Sequence, residues 1–259
     1  MKIAIVTGGS AGIGKAAAHM LAENGYKVYE LSRSGVSDGK IKHITADVTD
    51  ETAVREAFKE VVSNEGRIDL LVNNAGFGIS GAAEFTCTED AKRQFDVNFF
   101  GTFICCREAI PYLRKSRGRI INVSSVAANF PIPFQSFYSA SKSAVSSFTL
   151  CLANELRPFG IKVCTVSPGD VRTNFTAARE KNSQGSEFYG DKINSAVKTM
   201  ERDETNGMPP EAAAKVILRA ALKKRPAPIY TVGGKYKLFN LLGAVLPARV
   251  KNFIVGKMY

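Results

Sequence analysis

Near its start the chain reads Lys2-Ile-Ala-Ile-Val-Thr7-Gly8-Gly-Ser-Ala-Gly12-Ile-Gly14. The apolar run at residues 3–6 predicts a buried strand, and residues 13–24 predict a helix that ends at Asn24-Gly25. Glycines between a strand and a helix let the backbone approach a pyrophosphate, which then lies at the helix N-terminus. The spacing Gly-x-x-x-Gly-x-Gly departs from the usual Gly-x-Gly-x-x-Gly fingerprint, so a tight turn without a ligand stays an alternative at this point.

Further apolar runs predict four more strands, at residues 27–31, 70–72, 119–123 and 162–166. Helical stretches separate these runs, as a parallel sheet requires. With 259 residues and 45 % hydrophobic content, the chain can fill the core of one large α/β domain. We find no internal repeat, low-complexity segment or linker that would divide it.

A tyrosine and a lysine lie four residues apart, at Tyr138 and Lys142, and Ser125 precedes them. At this spacing on a helix the phenol and the ammonium share one face, so we expect Lys142 to lower the Tyr138 pKa toward neutrality. Such a phenol exchanges a proton with a carbonyl or alcohol oxygen, to which Ser125 can donate a hydrogen bond. Taken singly, the pair is commonest on a helix surface and the serine commonly caps a turn. Beside the glycine-rich turn, the set predicts hydride transfer between a nicotinamide and a carbonyl carbon.

Several motifs follow one another in a regular order over roughly the first two thirds of the chain. They are Thr7-Gly8-x-x-x-Gly12-Ile13-Gly14, Asp47-Val48, Asn73-Asn74-Ala75-Gly76, Asn98, Ser125, Tyr138-x-x-x-Lys142 and Pro168-Gly169. In this order and spacing the chain resembles the short-chain dehydrogenase/reductase family. The resemblance implies an α/β fold over 1–259, a single-domain Rossmann-type doubly wound parallel sheet with helices on both faces.

The resemblance also implies roles for individual residues. Tyr138 would be the catalytic residue, Lys142 would also bond the nicotinamide ribose, and Asn98 would hold a water that passes protons to the lysine. Asn73 would mainly hold the sheet together. Further cofactor contacts are implied at Gly8, Gly12, Ile13, Gly14, Asp47, Val48, Asn74, Ala75, Gly76, Pro168, Gly169, Val171 and Thr173.

The choice between NAD and NADP is made at the end of the second predicted strand. In this type of fold an acidic residue there bonds the ribose 2′-hydroxyl of NAD, whereas an arginine can pair with a 2′-phosphate. By the family pattern Ser32 occupies the acidic position and Arg33 follows it, with Glu30 two residues too early. A guanidinium forms a bidentate pair with phosphate, and Ser10 adds a hydroxyl. We therefore predict NADP(H), with a solvated charge as the alternative for Arg33.

Two segments after the motifs are distinct in composition. Residues 174–208 are polar, and in similar proteins the substrate lid lies there. Residues 234–259 combine basic with apolar side chains, and this pattern predicts an amphipathic helical hairpin. Residues 211–259 contain ten Lys or Arg and one Glu, which gives this segment a net charge of +9. The net charge of residues 1–210 is +2. This tail could lie on an anionic membrane, pack on its own domain, cover the substrate cleft or contact another subunit.

Other features narrow the class of protein. The five cysteines lack metal-ligand spacing and His19 and His43 are scattered, so we expect no metal site and reduced thiols in a cytoplasmic protein. The direct entry into a core strand argues against a secretory signal, and the tail is too short and charged to span a membrane. A basic balance without a binding motif does not indicate a nucleic-acid partner. By resemblance we expect a homo-oligomer.

Together these features predict an NADP(H)-dependent carbonyl reductase or alcohol dehydrogenase acting on a small-molecule carbonyl or alcohol. A lipophilic substrate such as a steroid, a retinoid or an acyl chain suits a membrane-associated tail, whereas a polar substrate suits a compact one. The rival hypothesis is a non-catalytic NADP-binding sensor or membrane adaptor. The intact set of Ser125, Tyr138, Lys142 and Asn98 disfavours the rival, because binding alone needs no proton donor.

Overall fold

The protein, described over residues 1–259 by a computed structural model, is built around one parallel sheet. Its strands are β1 (Lys2–Thr7), β2 (Tyr26–Ser32), β3 (Ile41–Thr45), β4 (Leu70–Asn73), β5 (Ile79–Ser80), β6 (Arg119–Val123), β7 (Lys162–Pro168), β8 (Glu180–Lys181) and β9 (Ile229–Val232). Seven of them form the sheet, in the order β3-β2-β1-β4-β6-β7-β9, and β5 pairs separately with β8. The strand order reverses between β1 and β4, and a crevice opens at such a reversal in this type of sheet.

Helices cover both faces of the sheet. They are α1 (Gly12–Glu23), α2 (Glu51–Glu65), α3 (Thr88–Phe95), α4 (Gly101–Ser116), α5 (Ser136–Glu155), α6 (Phe175–Ala178), α7 (Ser186–Tyr189), α8 (Lys192–Thr205), α9 (Pro210–Leu222), α10 (Gly234–Val245) and α11 (Ala248–Met258). None of them is long and apolar enough to cross a membrane.

Alternation along the central strands divides the core in two. In β1, Ile3 and Ile5 face the helices α2, α4 and α5, whereas Ala4 and Val6 face α1 and α9. Both faces of a parallel sheet are covered by helices, so its strands are apolar on both sides. This confirms the predicted single-domain Rossmann-type fold.

The sequence prediction located all five inner strands to within two residues at each end. It missed β3 and β9, which form the two edges of the sheet. In β3 the residues Lys42 and His43 interrupt the apolar run, and β9 is only partly buried. An edge strand contacts water along one side, so the continuous apolar run that marks a central strand is absent.

A chain of buried polar side chains crosses the core. Asn73 on β4 and Asn122 on β6 are register partners in the sheet, and the Asn73 amide donates to Asn122 Oδ1 at 2.9 Å. The Asn122 amide in turn donates to Thr149 Oγ1 on α5 at 2.9 Å. Asn73 thus links strands and lies away from the ligand-binding surface.

Candidate active site

The carboxyl ends of the central strands open into one cavity of about 1200 Å³. Loops after β1, β2, β4, β6 and β7 form its walls, together with the segment 174–208 and the two C-terminal helices. Ligands of open α/β sheets bind in the crevice outside these strand ends. The cavity is therefore the candidate active site.

The glycine-rich turn leaves the N-terminus of α1 available to an anion. Gly8 and Gly12 have φ angles of +64° and +54°, in the left-handed region that favours glycine. A Cβ at Gly14 would lie 2.2 Å from the Gly8 carbonyl oxygen, so only glycine lets the turn close on the helix. No side chain caps α1, whereas Asp50 caps α2 by accepting from Thr52 N and Ala53 N. The uncapped N–H groups can bind a pyrophosphate.

Most of the predicted cofactor residues line this cavity. Those that do are Gly8, Ser10, Gly12, Ile13, Arg33, Asp47, Val48, Asn74, Ala75, Gly76, Tyr138, Lys142, Pro168, Gly169, Val171 and Thr173, whereas Gly14 lies beneath the turn. Asn74 fastens the turn to β4, because its side-chain amide donates to the carbonyl oxygens of Thr7 and Gly8, each at 3.2 Å.

At the end of β2 the basic residue Arg33 lines the cavity, whereas the acidic residue Glu30 does not. Arg33 is exposed at the cavity wall between Ser32 and Ser34. Glu30 is buried, where its carboxylate contacts His43 Nδ1 and accepts from Ser32 Oγ at 3.2 Å. His43 therefore holds this carboxylate below the loop, a contact that the sequence did not indicate.

Three of the four predicted catalytic residues meet in the cavity. Ser125, Tyr138 and Lys142 line it, and Lys142 Nζ donates to the Val123 carbonyl oxygen at 3.0 Å. Ser125 Oγ accepts the Ala127 N–H at 3.1 Å, so this serine does cap a turn and still has its own proton to donate. The aromatic ring of Tyr138 lies 6.0 Å from Lys142 Nζ and 5.7 Å from the centre of the Phe175 ring.

Asn98, the fourth predicted residue, lies behind the cavity wall. It belongs to a π-helical turn over Asp96–Phe100 and is fully buried. Its side chain accepts from Phe77 N at 3.0 Å and donates to Phe77 O at 3.1 Å and Ser141 Oγ at 3.0 Å. A Cβ at Gly76 would lie 3.0 Å from Asn98 Oδ1 and 3.4 Å from Lys142 Nζ, so Gly76 is what separates the two polar groups.

The expected fall of the Tyr138 pKa is wrong for this structure. Burial raises the Tyr138 pKa to about 12, although neighbouring Ser125 acts in the opposite direction. Burial also lowers the Lys142 pKa to about 8. The loss of hydration disfavours each charged form, and the lysine ammonium is directed at a backbone carbonyl. The phenol therefore stays protonated at neutral pH.

The segment 174–208, the predicted substrate lid, contacts Tyr138 through Phe175. Behind that ring the buried Arg179 pairs with Glu204 of α8, and its guanidinium lies 5.6 Å from the centre of the Phe175 ring. Glu204 also accepts from Thr176 Oγ1 at 2.7 Å. No local sequence pattern marks this support, because Arg179 and Glu204 in a polar segment resemble any exposed charges.

The segment 234–259, which we call the C-terminal hairpin, closes one side of the cavity. Its two helices contribute the wall residues Lys235, Tyr236, Phe239, Leu242, Gly243, Leu246, Ile254, Val255, Met258 and Tyr259. The Tyr236 hydroxyl donates to Asp170, and a Cβ at Gly169 would lie 2.2 Å from the Tyr236 ring. One face of the hairpin therefore packs on its own domain and lines the candidate active site.

Known proteins are similar to this chain in sequence and in fold. Residues 2–184 match the family model described as short chain dehydrogenase. The chain is 43% identical over 262 residues to a 3-ketodihydrosphingosine reductase of Bacteroides thetaiotaomicron, covering 99% of this chain and 94% of that protein. A solved structure of a short-chain dehydrogenase from Streptomyces avermitilis superposes with a TM-score of 0.84 at 30% identity, covering 99% of this chain and 96% of the other.

A second solved structure holds a bound coenzyme. It is a 3-ketoacyl-(acyl-carrier-protein) reductase from Brucella melitensis complexed with NADH, with a TM-score of 0.76 and 26% identity over 91% of this chain and 98% of the other. Fold, cavity and comparisons together define a nicotinamide-dependent oxidoreductase. The chain belongs to the short-chain dehydrogenase/reductase family.

Proposed function

We propose that the protein is an NADP(H)-dependent carbonyl reductase or alcohol dehydrogenase, with Tyr138 as its general acid and base. The observation that supports this most is the single cavity that contains both the uncapped start of α1 and the pair Tyr138 and Lys142. A non-catalytic binding protein would not need a buried phenol and ammonium beside the nucleotide-binding turn.

The residues present fit NADP(H). The free N–H groups at the start of α1 suit its pyrophosphate, and Arg33 at the cavity wall suits a 2′-phosphate. The Glu30 carboxylate is paired with His43 below the loop. It is therefore not available to accept a hydrogen bond from the ribose 2′-hydroxyl of NAD. When bound, the coenzyme donates a hydride to the carbonyl carbon or accepts one from the alcohol.

Together, Ser125, Tyr138 and Lys142 bind the substrate oxygen and transfer the proton to it. During reduction Ser125 donates a hydrogen bond to the carbonyl oxygen, and Tyr138 transfers its proton to that oxygen as the hydride arrives at carbon. The resulting tyrosinate is stabilised by the Lys142 ammonium, which can also return a proton because its pKa of about 8 is close to neutral pH. A Tyr138 pKa of about 12 keeps this phenol protonated at neutral pH. We favour reduction as the cellular direction, because an intracellular NADP pool is usually reducing.

The cavity wall supports a lipophilic substrate. The apolar residues that line the cavity with Tyr138 include Phe130, Phe239, Leu242, Leu246 and Ile254. A relative that matches nearly the whole chain is described as a 3-ketodihydrosphingosine reductase. We propose a long-chain ketone of this kind as the first substrate to test, ahead of steroid, retinoid and other acyl-chain ketones.

The test is a panel of ketones assayed by loss of NADPH absorbance, with NADH in parallel. In Tyr138→Phe we expect turnover to fall by at least about 100-fold, the scale of a lost general acid, while NADPH binding stays nearly intact. Tyr112→Phe is the matched control, because Tyr112 lies on α4 outside the cavity. Near-normal turnover in Tyr138→Phe would refute the assignment. Sedimentation velocity on the same preparation tests the predicted homo-oligomer.

A further inference from the structure

The C-terminal hairpin has a second apolar face that packs on nothing. While Tyr236 and Phe239 point into the cavity, Leu238, Leu241, Val245 and Phe253 are 55%, 68%, 77% and 65% exposed. On α10 the first three follow the spacing i, i+3, i+7, which places them on one stripe of the helix. A contiguous exposed apolar stripe marks an interaction surface rather than a core face.

The charge of the hairpin identifies the partner. It carries five basic side chains, Lys235, Lys237, Arg249, Lys251 and Lys257, and no acidic one. Two copies packed through this face would bring like charges together, whereas an anionic lipid surface would neutralise them. The helices are also too short to span a bilayer, so contact would be limited to its interface.

The same face borders the entrance of the cavity. Leu242, Ile254 and Met258 line the cavity and yet remain 44%, 45% and 44% exposed, so they form its rim. Lys251 lies over the Phe130 ring at 5.7 Å and Lys257 over the Phe253 ring at 5.8 Å, which puts basic groups beside apolar ones on this side. An acyl chain leaving a bilayer through this rim would stay in contact with apolar surface.

We propose that the outward face of the C-terminal hairpin docks on an anionic membrane, and that a lipid ketone enters the cavity from the bilayer through the rim between α10 and α11. The route of entry rests on the proposed function, whereas the docking does not. The surface is distinct from the residues that hold coenzyme or move protons.

Co-sedimentation with vesicles tests the docking. We use the full-length protein with phosphatidylcholine vesicles and with equimolar phosphatidylcholine and phosphatidylglycerol, at low and high salt. We expect binding to the anionic vesicles only, and at least about tenfold weaker binding for the double variant Leu241→Asp, Val245→Asp. The matched control is Phe159→Asp, Leu222→Asp, which adds the same charge at exposed apolar positions outside the hairpin. Equal binding by both double variants would overturn the proposal.

A second measurement separates docking from catalysis. With NADPH, the variant Leu241→Asp, Val245→Asp should reduce a water-soluble ketone as the parent does and lose at least about tenfold of its rate on a long-chain ketone held in anionic vesicles. If the parent sediments with vesicles but reduces no ketone, the proposed function fails and the docking stands. If the parent does not sediment with vesicles and instead self-associates through the hairpin at low protein concentration, the docking proposal is wrong. The exposed face would then belong to a subunit contact.

Discussion

Removing the Lys142 charge should stabilise the coenzyme-free protein. The Lys142 ammonium is buried, its one hydrogen bond goes to the Val123 carbonyl oxygen, and its pKa falls from 10.5 to about 8. Taking 10.5 as the value in the unfolded chain, the difference is about 2.5 pH units, which corresponds to about 3 kcal/mol. This free energy is the cost of burying the charged lysine at pH 7.

The sign and the pH window follow from linkage. The folded protein releases the proton at lower pH than the unfolded chain, so stability rises with pH between about 8 and 10.5. The cost is therefore about 3 kcal/mol at pH 7 and about 2 kcal/mol at pH 9. Lys142→Met removes the charge but also removes a hydrogen bond worth about 1 kcal/mol. We expect the variant to be more stable than the parent by about 2 kcal/mol at pH 7 and by about 1 kcal/mol at pH 9.

Urea unfolding of both proteins between pH 6 and pH 9 measures this difference. Other titrating groups contribute equally to parent and variant, so the difference isolates Lys142. Lys215→Met on the exposed face of α9 is the control and should show no such pH dependence. A variant that is less stable than the parent at pH 7, or a stability difference that does not change with pH, would refute the reasoning.

Three further predictions concern the cofactor site and the hairpin. Arg33→Ala should weaken NADPH binding by about tenfold or more and leave NADH binding nearly unchanged, measured by fluorescence titration; equal loss of both would exclude Arg33 as the phosphate-binding residue. Gly14→Ala should abolish coenzyme binding, because its Cβ would lie 2.2 Å from the Gly8 carbonyl oxygen, whereas Gly256→Ala, with open space around its Cβ, should bind normally in the same titration. Tyr236→Phe leaves the half-buried Asp170 carboxylate without its hydroxyl donor and should cost about 1–3 kcal/mol in urea unfolding; an unchanged midpoint would show that water replaces the donor.

The parts of the site that depend on local geometry were predictable from sequence. A glycine-rich turn between an apolar run and a helix has few structural solutions, and Tyr138 and Lys142 four residues apart must share a helix face. The central strands were also predictable, because both of their faces are buried and their apolar runs are unbroken.

The remaining features depend on which residues become neighbours after folding. The effect of burial on the Tyr138 pKa cannot be inferred from a spacing of four residues, because it depends on the walls that exclude water. Likewise the pairs Arg179–Glu204 and Tyr236–Asp170 join residues 25 and 66 positions apart, and no local pattern marks them. The two faces of the hairpin are both apolar, so only the folded chain distinguishes the cavity wall from the outer surface.

The hydrogen bond between the buried amides of Asn73 and Asn122 fixes the glycine-rich turn relative to Ser125. Asn74, which fastens the glycine-rich turn, directly follows the first amide, and Ser125 lies three residues after the second. If β4 slipped by one residue along β6, the glycine-rich turn would shift by about 3.3 Å against Ser125. The slip would also break the hydrogen bond between the two buried amides, at a cost of about 1–3 kcal/mol. The pairing of β4 with β6 thereby sets the relative position of two walls of the candidate site, and a sheet that forms in the wrong register is destabilised before any ligand binds.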